Sequence, residues 1–132
     1  MNKEIFKSDR YFTLFDFSIS HGQLLLRSSK DDRNKNNIDI IFFGASFIQI
    51  FTFLWGISIK LVEKDIHLIS YDSVNSFLGH KENCLFEIET KTEKYYIGAS
   101  YFKAYENELE FNETSLGLSD PKGREKEISG SY

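Results

Sequence analysis

The stretch that decides the fold is Ile40–Ile59, IIFFGASFIQIFTFLWGISI, which contains no charged residue. A run of about 20 apolar residues is long enough for a transmembrane helix. Such a run is also typical of two consecutive strands that are buried on both faces. The interpretation of this run therefore decides between a membrane protein and a protein with an aromatic β core.

Several features of the run favour strands. It is rich in Ile and Phe, which fit pleated surfaces. Gly44 divides it into two segments of strand length, 38–43 and 47–53. Residues 56–62 then alternate in polarity, as strands do, and lysines flank the run at similar density on both sides. A buried helix over 46–55 remains the alternative for that segment, because polar residues recur there at every third position.

Two hairpins are predicted before this run ends. Residues 11–20 form a strand with apolar side chains mostly at odd positions, and the turn at His21-Gly22 leads to a return strand over 23–28. A polar loop over 30–37 follows. If that loop is centred on Arg33, the antiparallel register places Arg27 opposite Asp39. Opposite charges at directly opposed positions support this register.

The second half of the chain continues the pattern. Strands are predicted over 84–90 and 95–100, with Cys84 on the apolar face of the first, and a helical turn over 73–78. Residues 101–111 read either as a last strand or as a short amphipathic helix. Regularly spaced turn signals of this kind are typical of antiparallel sandwiches and barrels.

The predicted fold is mainly β: a single-domain antiparallel β-sandwich or partly open barrel of about 6–8 strands with at most one or two short helices. A chain of 132 residues, 41% hydrophobic and 27% charged, is one ordered domain. We assign that domain to residues 1–111. Residues 112–132, rich in Gly, Ser and charge, are expected to be an acidic, mobile C-terminal tail.

Charge and cysteine content exclude several classes of function. Residues 106–127 carry seven acids and three bases, which accounts for the whole net charge of −4. The chain has no basic stripe, so nucleic acid is not an expected partner. The one cysteine rules out an intramolecular disulfide and a four-cysteine zinc site. The N-terminus lacks an apolar signal region, so we expect a cytoplasmic protein with no membrane partner.

Two groups of residues resemble metal sites but fail the chemistry of each metal. His80 and Cys84 have ligand-like spacing, yet zinc requires three or four protein ligands. The loop 32–43 could be read as a calcium loop, but Asn37 and Phe43 stand where Gly and a bidentate Glu are needed. No metal and no cofactor are therefore predicted.

Six residues are candidates for a ligand or partner site. His21 and Arg27 lie among polar side chains on apolar strands, where they could act on a substrate or bind an anion, but a hairpin tip and a structural Arg27–Asp39 ion pair explain them more simply. Trp55 and nearby phenylalanines could line an apolar pocket or belong to the core. Glu108 and Glu110 could form a docking surface for a basic protein.

The favoured function is a non-enzymatic protein-binding module, such as a small cytoplasmic protein that neutralises a toxin or caps a partner. The alternative is a carrier of a small apolar ligand with an aromatic-lined cavity around Trp55. A third hypothesis is an enzyme whose site is assembled from the dispersed residues His21, Arg27 and Asp39. A homodimer formed through an exposed strand edge is also open.

Overall fold

A computed structural model describes residues 3–64, 69–117 and 122–131. Within these ranges the chain forms one open antiparallel sheet of nine strands and one short helix. This confirms the mainly-β single-domain prediction, with nine strands in place of the predicted six to eight. The strands are β1 (Lys3–Ser18), β2 (Gln23–Ser28), β3 (Asn37–Phe43), β4 (Phe47–Gln49), β5 (Phe53–Leu61), β6 (Cys84–Glu89), β7 (Lys94–Ala99), β8 (Tyr101–Asn107) and β9 (Lys126–Gly130), and the helix is α1 (Asp72–Leu78).

The sheet curls strongly on itself. Its strand order is β4-β7-β6-β5-β1-β2-β3-β8-β9, with β4 and β9 at the edges. Strand β7 pairs with β4, and β8 pairs with β3. Only Ser100 separates β7 from β8, and β3 and β4 are also consecutive in the chain. The segments β3–β4 and β7–β8 therefore connect the two ends of the strand order. The result is a partly open barrel.

Phenylalanine rings from distant strands meet inside the curled sheet. The ring centroids of Phe42 and Phe86 are 5.6 Å apart, those of Phe42 and Phe102 are 5.5 Å apart, and those of Phe86 and Phe102 are 5.6 Å apart. All three side chains are fully buried. Burying one such ring stabilises the fold by roughly 1.5–3 kcal/mol, so this cluster stabilises the curled form of the sheet.

The apolar run Ile40–Ile59 forms strands, as predicted. It contains the end of β3, all of β4 and most of β5, so the alternative of a helix over 46–55 is wrong. Gly44 ends β3 with a φ of +66°, and a Cβ there would lie 2.6 Å from the Ser100 Oγ. In the described ranges, no helix is long and apolar enough to cross a membrane.

The predicted pairing of β2 with β3 is confirmed residue by residue. Leu26 lies opposite Ile40 and Arg27 lies opposite Asp39. The helical turn predicted over 73–78 is α1, and the segment that begins at Tyr101 is the strand β8, which removes the helical alternative there.

Strand β1 differs from the prediction in two respects. It begins at Lys3 and not at residue 11, and it pairs with β5 over most of its length. Between its bulges, its core-facing side chains are at even positions: Phe12 is fully buried and Leu14 packs against the inner cluster, whereas Tyr11 is 39% exposed. Over this stretch the odd side chains form the outer face.

A β-bulge opposite Gly56 sets the orientation of the residues on β5. Ser8 pairs with Ile57 and Tyr11 pairs with Trp55, so two residues of β1 oppose Gly56 alone. Gly56 has a φ of +70°, a conformation that glycine adopts without steric cost. The bulge changes the alternation: before it Trp55 points outward, and after it Ile57 points inward.

The C-terminal segment belongs to the folded domain, which corrects the boundary at residue 111. Strand β9 pairs with β8, and Leu116 is 4% exposed in a second cluster with Leu25, Ile41 and Tyr105 on the outer face. We call residues 108–117 the strap, because they cross this outer face. Residues 118–121 and 132 of the predicted tail lie outside the described residues.

Candidate functional site

Four large aromatic side chains are exposed together on the outer face of the sheet. Trp55 is 60% exposed, Phe51 52%, Phe53 45% and Tyr11 39%. Tyr11 lies on β1, Phe53 and Trp55 lie on β5, and Phe51 lies two residues before β5. We refer to these four residues as the aromatic surface.

Ring contacts make the aromatic surface continuous. The Tyr11 and Trp55 centroids are 4.3 Å apart, those of Tyr11 and Phe53 are 6.3 Å apart, and those of Phe51 and Phe53 are 4.8 Å apart with the rings nearly perpendicular. Aromatic rings at about these separations attract one another by roughly 0.5–1.5 kcal/mol per pair beyond the area that they bury. Contiguous apolar patches that remain exposed typically mark interaction sites.

The sequence identifies Trp55 and the phenylalanines near it as either a pocket wall or part of the core, and it does not place Tyr11 beside them. The sequence does contain a signal for these exposed residues. Residues 53–55 of β5 are all apolar, so both faces of the strand are apolar there, whereas a strand that buries one face needs apolar side chains on that face alone.

A cleft borders the aromatic surface on the side of β6 and β7. It has a volume of about 360 Å³ and lies between β5 and the turn that joins β6 to β7. One wall consists of Phe51, Phe53 and Trp55, and the other of Tyr95 and the turn residues 90–93. The sequence expectation that Trp55 lines an aromatic pocket is consistent with this cleft, which lies at the surface and not in the barrel core.

Lys91 and Glu93 supply the charged groups that line this cleft. The Lys91 backbone N–H donates to the Trp55 carbonyl oxygen at 3.4 Å, and the Lys91 stem passes over Gly56. The Tyr95 hydroxyl donates to the Glu93 carboxylate at 2.7 Å, which raises the pKa of Tyr95. No carboxylate lies within 4.0 Å of the Lys91 ammonium in the described part of the chain.

Arg27 and Asp39 form a buried ion pair with two parallel hydrogen bonds. Arg27 Nε donates to Asp39 Oδ1 at 2.6 Å, and the Nη2 group donates to Oδ2 at 2.8 Å, with exposures of 1% and 0%. Asp39 Oδ2 also accepts from Ser115 Oγ at 2.7 Å and from Asn107 at 3.0 Å. The remaining Arg27 nitrogen donates to the Glu113 carbonyl oxygen at 2.7 Å. These bonds attach the strap to the sheet.

His21 is separate from that ion pair. It lies in the exposed turn between β1 and β2, where its Nδ1 is 2.9 Å from the Ser20 hydroxyl. Arg27 lies near the other end of β2 and is buried under the strap. The structure therefore does not bring His21, Arg27 and Asp39 together as the dispersed enzyme site requires.

Glu108 and Glu110 are exposed on the strap, but the acidic segment around them is largely neutralised. Lys30 Nζ lies 3.4 Å from the Glu110 carboxylate and donates to the Glu108 carbonyl oxygen at 2.7 Å. Nearby, Glu106 pairs with Lys126 at 3.3 Å and Glu113 with Lys122 at 3.8 Å. A basic partner would compete with the chain's own lysines.

Cys84 has the core position that the strand pattern predicts. Its side chain is half-buried and packs against the inner cluster, and burial raises the pKa of its thiol. A raised pKa disfavours the thiolate that a nucleophilic cysteine needs. Over the described ranges, no group of three or more metal-ligating side chains comes together.

Comparisons with protein-family models, with curated proteins and with solved structures found no match for this chain.

Proposed function

We propose that this chain is a non-enzymatic protein-binding module whose partner docks on the aromatic surface. The observation that carries the proposal is the exposure of four aromatic side chains in mutual contact on one face of a rigid sheet. Trp and Tyr are the residue types enriched at binding hot spots. Strands also hold such side chains in fixed positions, which lowers the entropy cost of binding.

The aromatic surface is a better docking candidate than Glu108 and Glu110. The lysines that pair with the acidic segment reduce the field that would attract a basic partner. Docking on the aromatic surface would instead remove exposed apolar area from water, which contributes roughly 25 cal/mol per Å².

Charged residues at the edge of the aromatic surface favour a different protein, and not a second copy of this chain, as the docking partner. Lys7 and Lys91 border Gly56 next to Trp55, and in the described residues no carboxylate lies within 4.0 Å of either ammonium. Glu4, Asp9 and Glu89 line the same region, so it carries charges of both signs, but Glu89 pairs with Lys60 at 2.7 Å. A two-fold dimer would bring like charges close together. The partner we propose is therefore a cytoplasmic protein with an apolar patch edged by carboxylates, which this chain caps or neutralises.

The test begins with the untagged protein purified from the cells that make it, examined by native mass spectrometry. A companion protein at fixed stoichiometry identifies the partner. Binding is then measured with the purified pair. Replacing both Tyr11 and Trp55 by Ala is expected to weaken it at least about 30-fold, since a hot-spot side chain is worth roughly 2 kcal/mol or more.

A matched control is Tyr71→Ala, because Tyr71 is 59% exposed but lies outside the aromatic surface. This variant is expected to bind normally. A second comparison reverses Glu108 and Glu110 to Lys. If that change abolishes binding and the aromatic double variant binds normally, the partner uses the acidic strap and our assignment of the surface is wrong.

A further inference from the structure

We propose that the cleft between β5 and the β6–β7 turn binds a small amphipathic carboxylate, an apolar chain or ring that carries one carboxylate group. This site is additional to the protein-docking function. It lies on the opposite side of β5 from Tyr11, so the two sites share Trp55 and Phe53 but can be separated by substitution elsewhere.

The cleft has the size and lining of a ligand site. Its volume of about 360 Å³ falls within the usual range for small-molecule pockets, and the mouths of β-barrels are common positions for them. Phe53 and Trp55 stand at alternate positions of β5, and the ring centroids of Phe51 and Phe53 are 4.8 Å apart, so the three side chains form one apolar wall. Tyr95 faces them from β7, and Leu54 contributes to the lining between the two walls.

The cleft is a gap in the sheet, which gives it depth. Strand β5 pairs with β6 through Ser58–Leu61, whereas Phe53–Trp55 pair with β1 on the other side. The hydrogen bond from the Lys91 N–H to the Trp55 carbonyl oxygen closes the gap at one end. A ligand here would contact two walls instead of lying on an open surface.

Lys91 supplies the cation at the cleft with which an anionic ligand can pair. The Glu93 carboxylate remains charged, and the hydrogen bond that it accepts from the Tyr95 hydroxyl at 2.7 Å holds it on the β7 side. Lys91, by contrast, has no carboxylate within 4.0 Å among the residues that the structure describes. A ligand carboxylate would pair with this ammonium while its apolar part covers the aromatic wall. Ionised hydrogen bonds of this kind are stronger than neutral ones.

Trp55 allows a direct test, because it is the only tryptophan in the chain and its fluorescence therefore reports on this site. The probes are decanoate, decanol and decyltrimethylammonium, each titrated below its micelle concentration. We expect a saturable change in Trp55 emission with decanoate, weaker binding of decanol and the weakest binding of the cationic probe. Equal responses to all three probes, or no saturable response to decanoate, would overturn the proposal.

Lys91→Gln is expected to weaken decanoate binding about tenfold and to leave decanol binding unchanged, since only the carboxylate would lose its ion pair. The matched control is Lys35→Gln in the exposed loop before β3, which should bind like the wild type. Unchanged decanoate affinity in Lys91→Gln would also refute the proposal.

Tyr11→Ala distinguishes this site from the protein-docking site. It removes one residue of the aromatic surface but none of the residues that line the cleft. We expect it to weaken partner binding and to leave the dissociation constant for decanoate unchanged. Loss of decanoate binding in this variant would contradict a cleft that works independently of the docking surface.

Discussion

The outer face of the curled sheet is covered in one half and bare in the other. On β2 and β3 the outer side chains of Leu25 and Ile41 are fully buried, because Leu116 of the strap packs on them. On β1 and β5 the outer side chains of Tyr11 and Trp55 face solvent. Both halves carry large apolar residues, so hydrophobicity alone does not decide which half the chain covers.

Polar anchors explain the difference between the halves. The strap is fixed by hydrogen bonds from Ser115 to Asp39 at 2.7 Å and from Thr114 to Asp16 at 2.6 Å, and Arg124 donates to the Ser115 carbonyl oxygen at 2.7 Å. A buried ion pair requires such partners. The strap thus supplies hydrogen bonds to buried charged groups and also covers apolar side chains. The aromatic surface contains no buried charge that requires such hydrogen bonds, so its side chains can stay exposed until a partner binds.

The largest effect is expected from breaking the ion pair under the strap. Arg27→Met leaves the Asp39 carboxylate buried without its cation, and we expect a loss of about 3–5 kcal/mol in the free energy of unfolding. Urea or guanidinium denaturation with linear extrapolation measures it. An unchanged midpoint would show that Ser115 and Asn107 suffice for Asp39, and that the covered half does not depend on its ion pair.

The double variant Arg27→Met with Asp39→Leu is the control for this measurement. Because it removes both charges together, it is expected to regain much of the stability that the single variant loses. A double variant as unstable as Arg27→Met would locate the cost in lost packing, including the stacking of the Arg27 guanidinium 4.0 Å from the Phe15 ring centroid.

A smaller effect should separate the two halves directly. Leu116→Ala removes the strap side chain that covers Leu25 and Ile41, and we expect it to cost about 2–4 kcal/mol of unfolding free energy. Trp55→Ala in the bare half should cost about 1 kcal/mol or less, since the main loss is its contact with Tyr11. Thermal and denaturant unfolding of both variants provide the comparison. Equal losses would mean that the aromatic surface is a structural element and not a docking site.

The sequence predicted the covered half in part. The β2–β3 register could be found because Arg27 and Asp39 carry opposite charges at positions that a short loop brings together. The cover itself could not be found, because Ser115 and Leu116 stand in a segment whose composition resembles a mobile tail. Their burial depends on a carboxylate that lies 76 residues away in the chain.

The bare half was hidden from the sequence by two irregularities. The bulge opposite Gly56 changes which side chains of β5 point inward, and a second register shift between Leu14 and Asp16 does the same on β1. A period-two pattern cannot be followed through such bulges. The sequence therefore named Trp55 as a candidate but could not say whether its side chain lies in the core or at the surface.

The smallest effect is expected from pH, and it should be confined to the covered side. Hydrogen bonds from Asn36 and from Lys126 of β9 lower the pKa of Glu106 below its ordinary value. The stabilisation is therefore complete above the pKa of the unfolded chain and is lost as pH falls through the lower, folded-state value. Unfolding measured from about pH 6 to pH 3 should show a smaller loss for Glu106→Gln than for the wild type. Glu108→Gln, on the exposed part of the strap, is the matched control. Identical pH profiles for Glu106→Gln and the wild type would mean that backbone pairing with β8 holds β9 without help from this charge.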